Sequence, residues 1–574
     1  MHTAPPNPSV KSGLAEEINT HERRWLAGLF LVLLGLRVLY ACNMSFNSDE
    51  PQHLHVVWAW ANGLLPYRDI FDNHTPLFHI LCAPVFRLFG ETAMILIYMR
   101  LAMIPLFAAS LFFVMKIGGQ LFSRRVGCWA AVFIGFAPFF FLKTVEFRTD
   151  DLWTAVWLGT VAIAVGGPPT ARRMFCAGLA LGAAFSVSMK TALLALALLL
   201  AGLIALVLWR RDSGPLRMGA VLRGLGAGLA GVLVVPAAIV AYFAAHHAIG
   251  ALYYCVIEHN MVPSENHRLG IASRRFWFPA ALALFIPAAH FVFHRAPNRT
   301  LAARRVLVLL TSGFFLSLLH SYWPKITSQD YPPVTPLLVI LLTPAVLALA
   351  DWLPARFPWL PRLGLAVALA VAELAATLHI VHPKERTQHY VEFLGRVLRF
   401  TDRGDYVMDG KSGAIFRRRP FYYALESVTR DRMSRNLIKD EIIADLLTTN
   451  TCMASDERLE GLDLAFVRAN YLPFEYKMRI AGQHLKPDAV TGHAAFEIHI
   501  VTTYAIVTPA GPAVGTLDGQ PCAGKVFLAA GPHEFVSEDP RAPHVLVWAQ
   551  ALERGFQPDF STEHEKAAEK KIRR

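Results

Sequence analysis

The stretch Asn47–Leu77, NSDEPQHLHVVWAWANGLLPYRDIFDNHTPL, decides how the rest of the chain is read. It follows the first long apolar segment and holds Asp49, Glu50, Asp69 and Asp72, with His53, His55 and His74 among them. Most of the sequence after it, as far as Ile380, consists of apolar runs. Acidic side chains are costly beside hydrocarbon, so a cluster of them at the edge of a helical bundle marks a functional site by default. A plain hydrophilic loop accounts for the charges. It does not account for the aromatic and apolar runs between them.

Composition sets the class. The 574 residues are 54% hydrophobic and 17% charged, against about 25% charged in a soluble globular chain. Repeated apolar runs of about 17 to 22 residues account for the difference, and each is long enough to span a bilayer. The formal net charge is +12. The basic residues sit in short clusters between apolar runs, as the positive-inside rule requires, and form no nucleic-acid face. The seven cysteines show neither CxxC nor a Cys/His zinc spacing. Cys452 and Cys522 fall in the C-terminal region, where an oxidising compartment permits a pairing.

Taken in order, residues 1–24 read as a polar cytoplasmic tail without a signal-peptide cleavage pattern, so the first apolar run, from Trp25 to Cys42, is a retained helix. Loop 43–91 follows on the opposite side, with HLHVVWAWANGLL as an interfacial helix anchored by Trp58 and Trp60. PLFHILCAPVFRLFG is too short to cross and lies along the surface. Further spans run over Thr92–Val114, Val126–Leu142 and Leu152–Val165. The block Met174–Trp209 is a hairpin with Lys190 at its outer turn, and Gly224–Ala245 and Phe276–Phe293 come next. Three more, the last being Leu363–Ile380, bring the total to about eleven, counted on the approximate length a span needs. Basic clusters alternate with outer loops 43–91, 143–151, 246–275 and 323–331. That asymmetry puts the outer loops outside the cytoplasm, in a polytopic α-helical membrane protein. The helical region is 25–382.

Residues 383–574 form a second region, a soluble extracytoplasmic α/β domain with a charged tail. DYVMDG, DLAFVRANYL, AFEIHIVTTYAIV and HVLVWAQAL read as its short strands.

The outer loops carry the ionisable groups. The first has Asp49, Glu50, Asp72 and His74; the second has Glu146, Arg148, Asp150 and Asp151. Lys190 is at the third, Glu258, His259, Glu265 and His267 are in the fourth, and a further loop offers Lys325 and Asp330. Helical spans gather such loops at one membrane face. Lys and Arg there hold a phosphate, and a carboxylate takes the proton from an acceptor hydroxyl. Displacement at an anomeric carbon needs that base together with stabilisation of the departing phosphate.

SDE at 48–50, GLLPYRDIFDNHTPL at 63–77, FRTDDL at 147–152 and Lys190 in SMKTALL together resemble the GT-C glycosyltransferases of the family-39 and lipid A aminoarabinose-transferase kind. VIEHN at 256–260 and PKITSQDYPPVTPLL at 324–338 are similar to later loops of the same enzymes. The resemblance implies a GT-C-like helical domain and an integral membrane enzyme that transfers a sugar from a polyprenyl-phosphate carrier. It implies Asp49 as catalytic base and Asp150 as its assistant, with Glu50, Asp72 and His74 as supporting polar groups. Lys190, Arg148 and Lys325 would hold the carrier phosphate. His259 matches a position that binds a divalent metal in the aminoarabinose transferases. Where those enzymes have Glu-Lys before Pro-Pro-Leu, this chain has Asn73-His74 before Thr75-Pro76-Leu77, a departure that bears on both the metal and the sugar. The expected partners are a polyprenyl-phosphate-linked sugar, membrane lipids and a lipid, glycan or protein acceptor, with no nucleic acid. The expected location is a bacterial inner membrane.

Each of these residues also has a bland reading. Asp49 and Glu50, and likewise Asp150 and Asp151, are suited to helix N-termini. Lys190 is placed to snorkel from a helix end. Arg37 and Arg100 either pair with the first-loop acids or snorkel, and Arg417–Arg419 read as a solvated face. Two rival functions share the architecture. A transporter or flippase of lipid-linked sugars would show internal repeats and midplane charges, which this sequence lacks. A non-catalytic envelope assembly protein would survive loss of Asp49.

Overall fold

Asn19 starts the first helix by accepting the Glu22 N–H at 2.8 Å on its side chain, one of the four donors that a helix N-terminus leaves open. The structure is a computed structural model and describes residues 18–213, 218–261, 285, 287–290, 292–323, 326–361, 363–382, 384–522 and 524–561. Lys325, Glu265, His267, both chain ends and most of the span expected over Phe276–Phe293 lie outside the described residues.

Eleven helices lead the chain: α1 (Thr20–Asn43), α2 (Asp49–Ala61), α3 (Leu77–Phe89), α4 (Ile95–Ala102), α5 (Ile104–Leu121), α6 (Arg124–Phe136), α7 (Pro138–Val145), α8 (Thr149–Val165), α9 (Ala171–Phe185), α10 (Thr191–Ser213) and α11 (Met218–Ala245). The helices Arg299–Tyr322, Thr335–Arg356 and Gly364–Ile380 complete the bundle. Among the described residues, six helices are long and apolar enough to cross a membrane, or seven if the bent pair α6–α7 is one span. α8, α9 and Gly364–Ile380 are helices of 17, 15 and 17 residues. The α6–α7 axis turns by 67°. Pro138 causes the turn, because proline disfavours the helical conformation at the preceding residue, and Ala137 has φ −55° and ψ 118°.

Two contacts show how the bundle is held. At one end Arg125 joins three segments, donating to Glu22 of α1 at 2.8 Å and to both oxygens of Asp351 at 2.6 and 2.9 Å. Between α9 and α11 the backbones nearly touch. A Cβ at Gly178 would lie 2.1 Å from the Gly228 carbonyl, so the close approach requires glycine.

α2 departs from the expected interfacial helix. Its residues from Glu50 to Ala59 are buried on every side, and Trp58 donates to Glu91 at 3.0 Å. The reason is cover from the C-terminal domain, whose Ile415 carbonyl lies 2.9 Å from His55 Nδ1. α3 does leave an apolar face exposed, at Leu81, Leu88 and Phe89.

The C-terminal domain begins with the helix Gln388–Phe400. Its larger sheet has strands Val407–Met408, Met453–Ser455, Met478–Leu485, His544–Trp548, Thr502–Thr508 and Lys525–Leu528 side by side, parallel at the first pair and antiparallel beyond. A second, four-stranded sheet is antiparallel. DLAFVRANYL is mostly helix, Gly461–Asn470, with a strand only from Tyr471. Asp463, Leu464, Val467 and Asn470 are covered or half-buried while Ala465, Arg468 and Ala469 are exposed, an i, i+3/i+4 pattern of one-sided helical burial and not the alternation of a strand. Cys452 and Cys522 remain free thiols, as do the other five cysteines.

Candidate active site

Asp49 is the first residue of α2. Asp150 and Asp151 lie in the first turn of α8. Helix starts therefore place all three, as the bland reading requires, but capping does not describe what the carboxylates contact. Asp49 Oδ2 accepts from Arg148 Nη1 at 2.5 Å, and Asp49 Oδ1 pairs with Lys411 Nζ. Arg148 also donates through Nε to Asp150 Oδ2 at 3.1 Å and lies 3.8 Å from Glu146. Burial pushes the Asp49 carboxyl up, but the Arg148 and Lys411 charges outweigh it and hold it well below the usual carboxylate range. The Asp49 side chain is still 31% exposed, so its carboxylate is charged and reachable.

Glu50, one residue on, has a different task. It is fully buried and grips Arg100 through two bonds of 2.7 and 2.6 Å. It also accepts the backbone N–H groups of Asn47 and Phe147, at 2.7 and 2.8 Å. Arg100 thus does pair with a first-loop acid. Arg37 instead lies 3.7 Å from Asp151 and donates to Thr144 and to the Phe141 carbonyl at 3.0 Å each. Glu50 thus fastens the first loop to α4 and to the α7–α8 turn, and Arg37 fastens α1 to α7 and α8.

Asp72 and His74 form a second cluster. Asp72 Oδ1 meets His74 Nδ1 at 2.8 Å, and Asp72 Oδ2 lies 3.4 Å from His79. His79 Nε2 in turn meets His53 Nδ1 at 3.1 Å, and the His53 and His74 rings are 4.6 Å apart. Burial lowers the His74 imidazole, and Asp72 more than compensates, so His74 titrates above its ordinary value. Burial lowers His79 to about 4. Of the three imidazoles in the cluster, His74 thus holds a proton most readily, against Asp72.

Lys190 sits at the α9–α10 turn and pairs with Asp330 rather than with Asp49. Asp330 is fully buried and also accepts the Thr327 N–H at 2.7 Å. His259 is buried against Phe71 and Tyr423, with Glu426 at 3.5 Å from its Nε2. Its Nδ1 has no hydrogen-bond partner among the described residues. Among the described residues no group of three His, Cys, Asp or Glu side chains converges as metal ligands. The His259–Glu426 pair alone does not amount to such a centre. Asn73, where the resembled enzymes carry Glu, donates to Glu426 at 2.6 Å.

Sequence reasoning missed Lys411 altogether. It lies in DGKSG at 409–413, visible as a turn, but nothing in the sequence says that the turn reaches Asp49, 362 positions earlier. Arg417–Arg419 is likewise no solvated face. Arg417 is buried and donates to Thr401 and Glu91, and Arg419 donates to the Asp409 and Tyr423 carbonyls, leaving only Arg418 exposed.

No protein-family model and no curated protein matches this sequence. Solved structures do. The crystal structure of ArnT from Cupriavidus metallidurans bound to undecaprenyl phosphate matches at a TM-score of 0.51 and 15% identity, over 80% of this chain and 98% of that one. The apo structure of the same protein matches at 0.53 and 14%, with the same coverage. At such identity the likeness speaks to the fold, and it extends over the helical domain and into the C-terminal one. The chain shares the fold of ArnT, a polytopic helical domain followed by a sheet-containing C-terminal domain, in line with the architecture expected from its motifs.

Proposed function

We propose that this protein is an integral membrane glycosyltransferase that moves a sugar from a polyprenyl-phosphate carrier to a hydroxyl or phosphate of a lipid, glycan or protein acceptor. The observation that carries the reading is the Asp49–Arg148–Asp150 constellation with Lys411, on a fold shared with a protein solved with undecaprenyl phosphate. In this reading the acceptor oxygen attacks the anomeric carbon on the face opposite the phosphate. Asp49 receives the acceptor proton. The bond from the anomeric carbon to the phosphate oxygen breaks, its electron pair stays on the phosphate, and the configuration inverts. Asp150 positions Arg148. Arg148, Lys190 and Lys325 are the cations for the carrier phosphate, and preorganised charge of this kind lowers the barrier where negative charge develops. Glu50 and the Asp72–His74 pair hold the loop that presents Asp49. The location is a bacterial inner membrane, with the catalytic loops and the C-terminal domain outside the cytoplasm.

The test is mass spectrometry of envelope lipids and glycans from a deletion strain complemented with wild type or with Asp49→Asn. One sugar increment is expected to vanish on deletion, return with wild type and stay absent with Asp49→Asn. Its mass identifies the sugar and the acceptor. Full restoration by Asp49→Asn would remove Asp49 as the base and favour transport or assembly.

A further inference from the structure

The C-terminal domain sends one loop into the first outer loop of the helical domain, and that loop is built to hold a single side chain. Asp409 accepts four consecutive backbone N–H groups, from Lys411 at 2.9, Ser412 at 2.5, Gly413 at 2.8 and Ala414 at 2.7 Å, and the Ser412 hydroxyl at 2.6 Å. Gly413 has φ +51°, and a Cβ there would lie 2.3 Å from the Arg417 carbonyl. Ala414 and Ile415 follow with φ 40° and 74°. Positive φ at a β-branched residue is strained, and such strain persists where the surroundings impose it. Here His55 of α2 holds the Ile415 carbonyl. The product of this construction is Lys411, presented to Asp49.

The cations around Asp49 differ in how far the protein itself occupies them. Arg148 has three carboxylates, on Asp49, Asp150 and Glu146. Arg100 is taken by Glu50 and by the Met44 and Ser45 carbonyls. Lys411 Nζ has one partner among the described residues, Asp49, although an ammonium carries three donors. Lys411 also lines a cavity of ≈ 190 Å³ together with His55, Tyr406, Arg418, Arg419 and Tyr422. Three cations face that space against one carboxylate, Asp69; Asp69 is already bonded to Arg68 and to the Leu65 N–H and Arg419 to the Asp409 and Tyr423 carbonyls, which leaves Lys411 and Arg418 as the cations with donors to spare. The cavity is therefore biased towards an anion, with Lys411 between it and Asp49.

We propose that Lys411, supplied by the C-terminal domain, is a phosphate-binding residue of the donor site, resting on Asp49 in the free enzyme and passing to the phosphate of the polyprenyl-phosphate sugar on binding. This rests on the glycosyltransferase reading above and adds to it the role of the second domain. Asp49 and the donor phosphate compete for one ammonium. When the phosphate takes it, Asp49 keeps only Arg148, and its carboxylate becomes more basic at the moment an acceptor proton must be received. The soluble domain is then part of the active site and not an appendage.

Competition fixes the signs of the test. Purified full-length protein in detergent is titrated with undecaprenyl phosphate, and dissociation constants are read by native mass spectrometry. Lys411→Ala is expected to weaken binding about tenfold to a hundredfold, the range for loss of one charge-assisted contact, and Lys411→Arg to restore most of it. Asp49→Asn removes the internal competitor and is expected to bind undecaprenyl phosphate several-fold more tightly than wild type. Because Asp49→Asn also releases Arg148, Lys411→Met is added in the Asp49→Asn background: it is expected to abolish most of the tightening, whereas a purely structural Lys411 leaves the tightening in place. Wild-type affinity in a Lys411→Ala variant of unchanged thermal stability overturns the proposal. So does unchanged or weaker binding by Asp49→Asn, and so does tightening that survives Lys411→Met in the Asp49→Asn background, where Lys411 no longer has an ion partner to lose. Failure of the wild type to bind undecaprenyl phosphate would instead overturn the carrier reading, and this inference with it.

Discussion

Glu50 and Asp49 are neighbours in sequence, and the structure gives their substitution different consequences. Consider Glu50→Ala. The wild-type carboxylate is fully buried, as is Arg100, and it accepts two bonds from that guanidinium and two from backbone N–H groups. Removing one member of a buried ion pair costs about 3–5 kcal/mol, because the other charge is left without compensation. The buried Phe147 N–H loses its acceptor as well, for about 1–3 kcal/mol more. The Met44 and Ser45 carbonyls remain on Arg100, at 2.5 and 3.0 Å, and keep the loss near the lower end. A net loss of about 5 kcal/mol lowers the thermal midpoint on the order of 10 °C, at roughly 2–4 °C per kcal/mol for a sizeable domain. The assay is thermal unfolding of detergent-solubilised protein, followed by fluorescence-detected size exclusion. Glu50→Met with Arg100→Met should recover part of the loss, since an apolar pair avoids the stranded charge. A Glu50→Ala midpoint within about 2 °C of wild type would refute the assignment of Glu50 to structure, as would absence of coupling in the double-mutant cycle.

Asp49→Asn should lower transfer by about 10²- to 10⁴-fold, the usual worth of a general base, measured as turnover with the donor that the envelope analysis identifies. Lys190→Met strands the buried Asp330 carboxylate; it should destabilise the α9–α10 hairpin, and adding Asp330→Asn should restore much of the midpoint if thermal unfolding is compared across the pair. The His74–Asp72 pair gives a pH signature. His74 titrates above its ordinary value, so its stabilisation is complete below the ordinary imidazole value of about 6.5 and fades as pH rises through the elevated one. Thermal midpoints across that alkaline interval should fall in wild type and stay flatter in Asp72→Asn; parallel curves would count against the pair.

The sequence by itself determined the class and much of the plan. Apolar runs separated by basic clusters, at spacings set by bilayer thickness, identify a polytopic helical chain, since those signals are local in sequence. The same locality placed Lys190 at its hairpin turn and Asp49 and Asp150 at helix starts. Tertiary structure decided the pairings. Asp49 with Lys411, Glu50 with Arg100 and Lys190 with Asp330 are separated by 362, 50 and 140 positions, and no periodicity encodes which carboxylate meets which cation. Two adjacent acids, Asp49 and Glu50, look alike in sequence. Successive residues on a helix point about 100° apart, so one faces the cleft and the other the core. Burial then makes Glu50 a fastening and leaves Asp49 accessible. The helix at Gly461–Asn470 follows the same logic, because a short apolar stretch suits either a strand or a helix until a neighbouring sheet selects the face it covers.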